Sequence, residues 1–163
     1  MTKPRVLFAC THNGARSRIA EEFTKRYAQG RVEVYSASFE SEKIGPIPVE
    51  VMNEVGIELP TSSPKSVFEW FKTKEKFDYV VSISDPFAQE QASIFTSSVD
   101  SLYHKTARRF SWIIPNFRAL SGTDEEKKAK ARKIRGQIKA EVCNFLSALG
   151  VEIVHPDMPS EKE

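Results

Sequence analysis

Two cysteines and three histidines are all that the 163 residues contain. So few thiols cannot build a disulfide framework. With 40% hydrophobic residues the chain can bury a core without one, and its length fits one domain. His12, His104 and His155 lie far apart without metal-ligand spacing, which excludes a zinc-type site. No apolar run approaches the roughly 20 residues that cross a bilayer. Met1 to Arg5 lead into a strand pattern instead of an export signal. Charge of one sign is missing too: the formal net charge is +2, which gives no global field for nucleic acid or a membrane surface. Internal repeats and low-complexity segments are absent. These absences leave the expectation of a soluble, cytoplasmic, single-domain protein with reduced thiols and no cofactor, whose ligand needs only a local positive site.

What is present is an alternation of strand and helix patterns. Arg5 to Cys10 is a short apolar run, the mark of a strand buried on both faces. From Ser17, the positions Ile19, Ala20, Phe23 and Tyr27 recur at helical spacing, with charges opposite. Val32 to Ser36 reads as a second strand, and Pro48 to Val55 as a helix ended by Gly56. Val67 to Phe71 suggests a short helix, Phe77 to Ile83 a central strand and Arg109 to Ile114 a weaker fourth. Thr123 and Glu126 form a capping-box pattern ahead of a long helix. Its apolar stripe is Ala131, Ile134, Ile138, Val142, Phe145 and Leu149. The basic run from Lys127 to Lys139 is read as that helix's solvated face. The expected architecture is α/β: a single doubly wound domain over residues 1–150, with a mostly parallel four-stranded sheet and helices on both faces. Residues 151–163 form a loose tail. In such sheets the ligand site lies at the carboxyl ends of the strands, which is where the loop after the first strand falls.

That loop is Cys10-Thr11-His12-Asn13-Gly14-Ala15-Arg16-Ser17. Successive backbone N–H groups between a strand and a helix make an anion nest, and the helix N-terminus adds partial positive charge. Thr11 to Arg16 are therefore the candidate substrate-binding residues, for a tetrahedral oxyanion. Cys10 is the candidate nucleophile, its thiolate favoured by the nest and by Arg16. Arg16 offers a planar fork for two equatorial oxygens, a geometric role outside the core that lysine cannot copy. Ser17 can cap the helix and donate its hydroxyl to the cysteine sulfur. Asn13 and Gly14 tolerate the left-handed backbone a tight nest requires, and His12 is either a spacer or an anion contact. Alone, Cys10 would read as a small buried hydrophobe. The Cys-x5-Arg-Ser spacing in a strand–loop–helix context is what makes it chemical.

The segment from Val6 to Glu21 resembles the signature of the low-molecular-weight protein tyrosine phosphatase superfamily, in particular its arsenate-reductase-like branch. Weaker similarity runs through Tyr35 to Ala37, Val49 to Ile57, Phe77 to Ser82 and the last helix. The resemblance implies that Cys10 attacks phosphorus or arsenic, that the loop backbone binds the oxyanion and that Arg16 clamps it.

Two departures bear on the reaction. Thioredoxin-linked arsenate reductases pass oxidising equivalents among three cysteines, two of them in a segment that resembles Ser82 to Ala92, which holds none. Cys143 is expected to serve packing. A reductase with one working cysteine needs an external thiol: glutathione, mycothiol or a glutaredoxin. The family's general acid is an aspartate before proline, after the fourth strand, and the equivalent stretch reads Ile114-Pro115-Asn116-Phe117. Asparagine has no titratable proton to give. Asp85-Pro86 is a substitute acid or a turn former. Three functions stay open: a phosphatase, an arsenate reductase, or a phosphate- or phosphoprotein-binding module with little turnover.

Overall fold

The first strand runs two residues past its expected end, as β1 (Arg5–His12), and Val6 to Cys10 are fully buried. A strand buried on both faces needs partners on both edges and helices above and below. The computed structural model, which describes residues 3–12, 15–40, 43–60, 62, 65–86, 97–103 and 107–154, supplies both. β2 (Glu33–Glu40) lies on one edge of β1, β3 (Tyr79–Ser84) on the other, and β4 (Arg108–Ile113) outside β3. All three pairings are parallel, with Cys10 in register with Ser38 and Ile83. Each crossover therefore carries helix, as the strand–helix alternation required.

Side-chain alternation divides the core. Val6, Phe8 and Cys10 face the layer of α1 (Ala15–Ala28), α2 (Pro46–Asn53) and α5 (Asp124–Ala148), whereas Leu7 and Ala9 face α3 (Val67–Lys72) and α4, helical over residues 97–103. The capping box at Thr123 and Glu126 is formed in both directions. Every position of the expected apolar stripe on α5 from Ala131 to Phe145 is buried, and Leu149 packs at its edge. Phe145 closes the stripe by meeting Phe8, Tyr79, Phe110 and Trp112 across the sheet.

Several boundaries differ from the sequence reading. α1 starts at Ala15, ahead of Ser17, and α2 covers Pro46–Asn53, ahead of 48–55, with the chain reversing at Gly56, φ 76°. α4 and a 3-10 turn at Phe117–Ala119 lack enough apolar periodicity to stand out in sequence. The expected tail does not begin at residue 151. Val151 and Ile153 pack on the core and the Val154 N–H donates to the Tyr27 carbonyl at 2.9 Å. Residues 155–163 lie outside the described residues, as do His104 and His155.

Polar contacts tie α2 and its cap residue to α5. Arg135, only 3% exposed, donates through Nη1 to the Val51 carbonyl at 2.6 Å and to Glu54 Oε1 at 2.9 Å. Arg132 grips the same carboxylate through Nε and Nη2. The Arg132 contact, reinforced by Arg135, holds the Glu54 carboxyl down at about 2. A carboxylate whose folded pKa is depressed stabilises the fold above its unfolded value and loses that contribution as pH falls through the folded one. Glu54→Gln should therefore lower stability at pH 7 by about 1–2 kcal/mol, less than a fully buried pair because Glu54 is partly exposed. The gap to wild type should close as pH falls from about 4.5 towards 2, the span between the ordinary and the depressed value. Urea midpoints across that range test it, and a gap independent of pH would contradict it.

Candidate active site

The carboxyl end of β1 delivers Cys10 and Thr11, and the first turn of α1 delivers Arg16 and Ser17. Asn13 and Gly14, between β1 and α1, lie outside the described residues. A parallel strand running straight into a helix brings Cys10 next to the helix N-terminus, where partial positive charge favours an anion.

Cys10 is buried, with Sγ 3.3 Å from Ser17 Oγ. Ser17 also donates to the Ala37 carbonyl at 2.9 Å. A hydroxyl carries one proton. With it on Ala37, Ser17 can accept from a Cys10 thiol, and for a thiolate the sulfur and the carbonyl compete for it. The cysteine–serine contact expected from sequence is present, with Ala37 as a rival that sequence did not disclose.

Arg16 is 1% exposed, which corrects the expectation that it stands clear of the core. Its Nη1 donates to the Ile114 carbonyl at 2.8 Å, and its Nη2 to Thr11 Oγ1 at 2.9 Å. Burial pulls the guanidinium pKa down, while the charges of Cys10 and then Asp85 push it back up. Arg16 thus joins β1 to the end of β4 across the mouth of the sheet. Asp85 and Pro86 follow β3 at that same mouth, and the charge of Asp85 is one that Arg16 feels. Ser84, just before them, has a buried hydroxyl with no hydrogen-bond partner among the described residues.

Asn116 is buried at 5% exposure, and its Oδ1 accepts the Arg118 backbone N–H at 3.1 Å, capping the 3-10 turn. The Asn116 side chain is thus held by the turn it starts. That role was open to sequence reasoning, since asparagine is a preferred cap residue. Cys143 is half-buried on α5 and packs against the α1–α5 core, twenty residues along the helix from Thr123. Among the described residues, no group of three or more His, Cys, Asp or Glu side chains gathers as a metal ion needs. No helix among them is long and apolar enough to cross a membrane.

The family described as low molecular weight phosphotyrosine protein phosphatase matches residues 5–154. An arsenate reductase from Shouchella clausii is 30% identical over 145 residues, 89% of this chain and 96% of that protein. A glutaredoxin arsenate reductase from Synechocystis is 26% identical over 147 residues, 89% of this chain and 98% of that protein. The solved structure of a thioredoxin-dependent arsenate reductase from Corynebacterium glutamicum superposes with a TM-score of 0.62 at 25% identity, covering 91% of this chain but 62% of that one. This chain therefore spans less than two thirds of that relative. A match running from the first residue of β1 to the last described residue agrees with the four-stranded parallel sheet. The chain belongs to the low molecular weight phosphotyrosine protein phosphatase family and is an enzyme of that cysteine-dependent, oxyanion-acting kind.

Proposed function

We propose that the protein reduces arsenate with Cys10 as its one working cysteine, drawing electrons from an external cytoplasmic thiol: glutathione, mycothiol or a glutaredoxin. What supports this reading is Asn116: we read it as standing where the family carries its acid, and its side chain is engaged in capping the 3-10 turn. Hydrolysis of a phosphate monoester releases an alkoxide or phenoxide that needs a proton from the enzyme. Arsenate carries a proton of its own at neutral pH, so an oxygen can leave as water without a protein acid. The names of the relatives at 30% and 26% identity point the same way.

In the first step the Cys10 thiolate attacks arsenic, an S–As bond forms, and one oxygen leaves as water after proton transfer. Arg16 and the loop backbone hold the remaining oxygens. An external thiolate then attacks Cys10 Sγ. The S–As bond breaks with its electron pair going to arsenic, arsenite departs, and Cys10 is left in a mixed disulfide. A second thiol attacks the outer sulfur, releasing a small disulfide and restoring the Cys10 thiolate. One arsenate and two thiols become one arsenite, one disulfide and one water. No metal or organic cofactor enters the scheme, and Cys143 takes no part.

Arsenite formation with each thiol donor, measured beside hydrolysis of an alkyl phosphate, tests the reading. Arsenite should form with at least one donor, and alkyl phosphate should turn over slowly, lacking the roughly 10²–10⁴-fold that an acid supplies. Fast hydrolysis without arsenite would make the protein a phosphatase, with Asp85 the candidate acid. Phosphate binding with neither activity would favour the binding-module reading.

A further inference from the structure

Thr11 was expected to serve the nest through its backbone, but its side chain does something else. Thr11 Oγ1 is buried and accepts the Arg16 Nη2 hydrogen at 2.9 Å. The second fixed point is the Ile114 carbonyl, which accepts from Nη1 at 2.8 Å. A guanidinium has five N–H groups. Two acceptors on its two terminal nitrogens set the plane and the rotation of the group and leave the other N–H groups for a guest. Both acceptors are stiff. Threonine is β-branched and sits within β1, so its oxygen has little freedom. Pro115 after Ile114 keeps that residue out of helical backbone, which presets its carbonyl direction. Thr11 also adjoins Cys10 on the same strand, so one rigid element sets both the sulfur and the orientation of the fork.

We propose that Thr11 is a positioning residue: its hydroxyl orients the Arg16 fork towards a tetrahedral oxyanion above Cys10. The inference rests on the arsenate-reductase reading only for the identity of the physiological guest. Inorganic phosphate, as the probe, tests it separately. A misaligned fork keeps its charge but loses its paired contacts, so the effect should fall on oxyanion affinity and on the step in which those oxygens carry most charge.

The experiment measures phosphate affinity through protection of Cys10 against iodoacetamide, in wild type, Thr11→Val, Thr11→Ser, Arg16→Lys and the Thr11→Val/Arg16→Lys double variant. Thr11→Val should weaken phosphate binding by about tenfold, the worth of one hydrogen bond to a charged group. Thr11→Ser, which keeps the hydroxyl, should bind within about twofold of wild type by the same reckoning. In the Arg16→Lys background, where no fork remains to be oriented, Thr11→Val should cost no more than about twofold, a non-additivity expected of coupled residues. Equal losses in both backgrounds, or a Thr11→Ser protein as weak as Thr11→Val, would overturn the proposal. Unchanged binding in Thr11→Val, or a wild type that phosphate does not protect, would overturn it as well. If wild type binds phosphate but makes no arsenite, the arsenate reading fails while the phosphate cycle still decides the role of Thr11.

Discussion

Replacing Cys10 with serine is expected to reduce arsenite formation to the background of free thiol and arsenate, a loss on the order of 10⁴-fold or more, as when other covalent nucleophiles are removed. Sulfur has two tasks in the proposed cycle. It must attack as a thiolate, and it must then be oxidised to a disulfide while arsenic takes the electron pair. A serine oxygen is a poor nucleophile without a base beside it, and Ser17, which it would meet, is no base. Even a seryl ester of arsenate could not continue, because oxygen has no disulfide-like state to enter. The fold should persist. Cys10 is a small side chain at a strand end and serine is close to its size, although its buried hydroxyl must share Ser17 with the Ala37 carbonyl. Arsenite formation above background in that variant would remove Cys10 from the chemistry.

Replacing Arg16 with lysine should lower arsenite formation by about 10³-fold, the scale on which loss of a preorganised oxyanion donor acts. Lysine brings charge without the planar fork, so paired contacts to two oxygens are lost. The same change should also cost stability. Arg16 is buried, and its bonds to the Ile114 carbonyl and Thr11 join β4 to β1. Losing one of these leaves a buried acceptor unpaired, which costs about 1–3 kcal/mol. The expected result is a folded protein that melts lower and turns over very slowly. A melting temperature equal to wild type would show that the carbonyl contact does not hold the strands together. Full activity would show that the fork does not touch the reacting oxyanion.

What sequence disclosed and what it did not divide along the range of the interactions. The strand over residues 5–10, the start of the helix after it, the capping box at Thr123 and the stripe on α5 are local patterns, legible from short stretches of chain. The structure keeps each with its ends shifted by a residue or two. The mount of Arg16 was not legible, because its carbonyl partner lies 98 positions away and any residue could supply a carbonyl. For the same reason the clasp of Arg135 on Val51 and Glu54 was invisible. Within the basic run of α5, Arg135 reads as one more solvated cation, and it is buried. The Ala37 carbonyl beside Ser17 is another backbone partner that only the β1–β2 register could bring into place. Asn116 is an intermediate case. That its amide has no titratable proton was plain from its residue type, whereas its capping bond to Arg118 needed the turn to be seen.

In the proposed cycle the external thiols act one at a time, the first leaving Cys10 in a mixed disulfide as arsenite departs. Mass spectrometry of the protein mixed with arsenate and a limiting amount of the thiol that supports turnover tests this most directly. The predicted result is a mixed disulfide between that thiol and Cys10 that forms only when arsenate is present and disappears when more thiol is added. A mixed disulfide at Cys143, one that forms at Cys10 equally without arsenate, or arsenite accumulating with no adduct at Cys10 would contradict it.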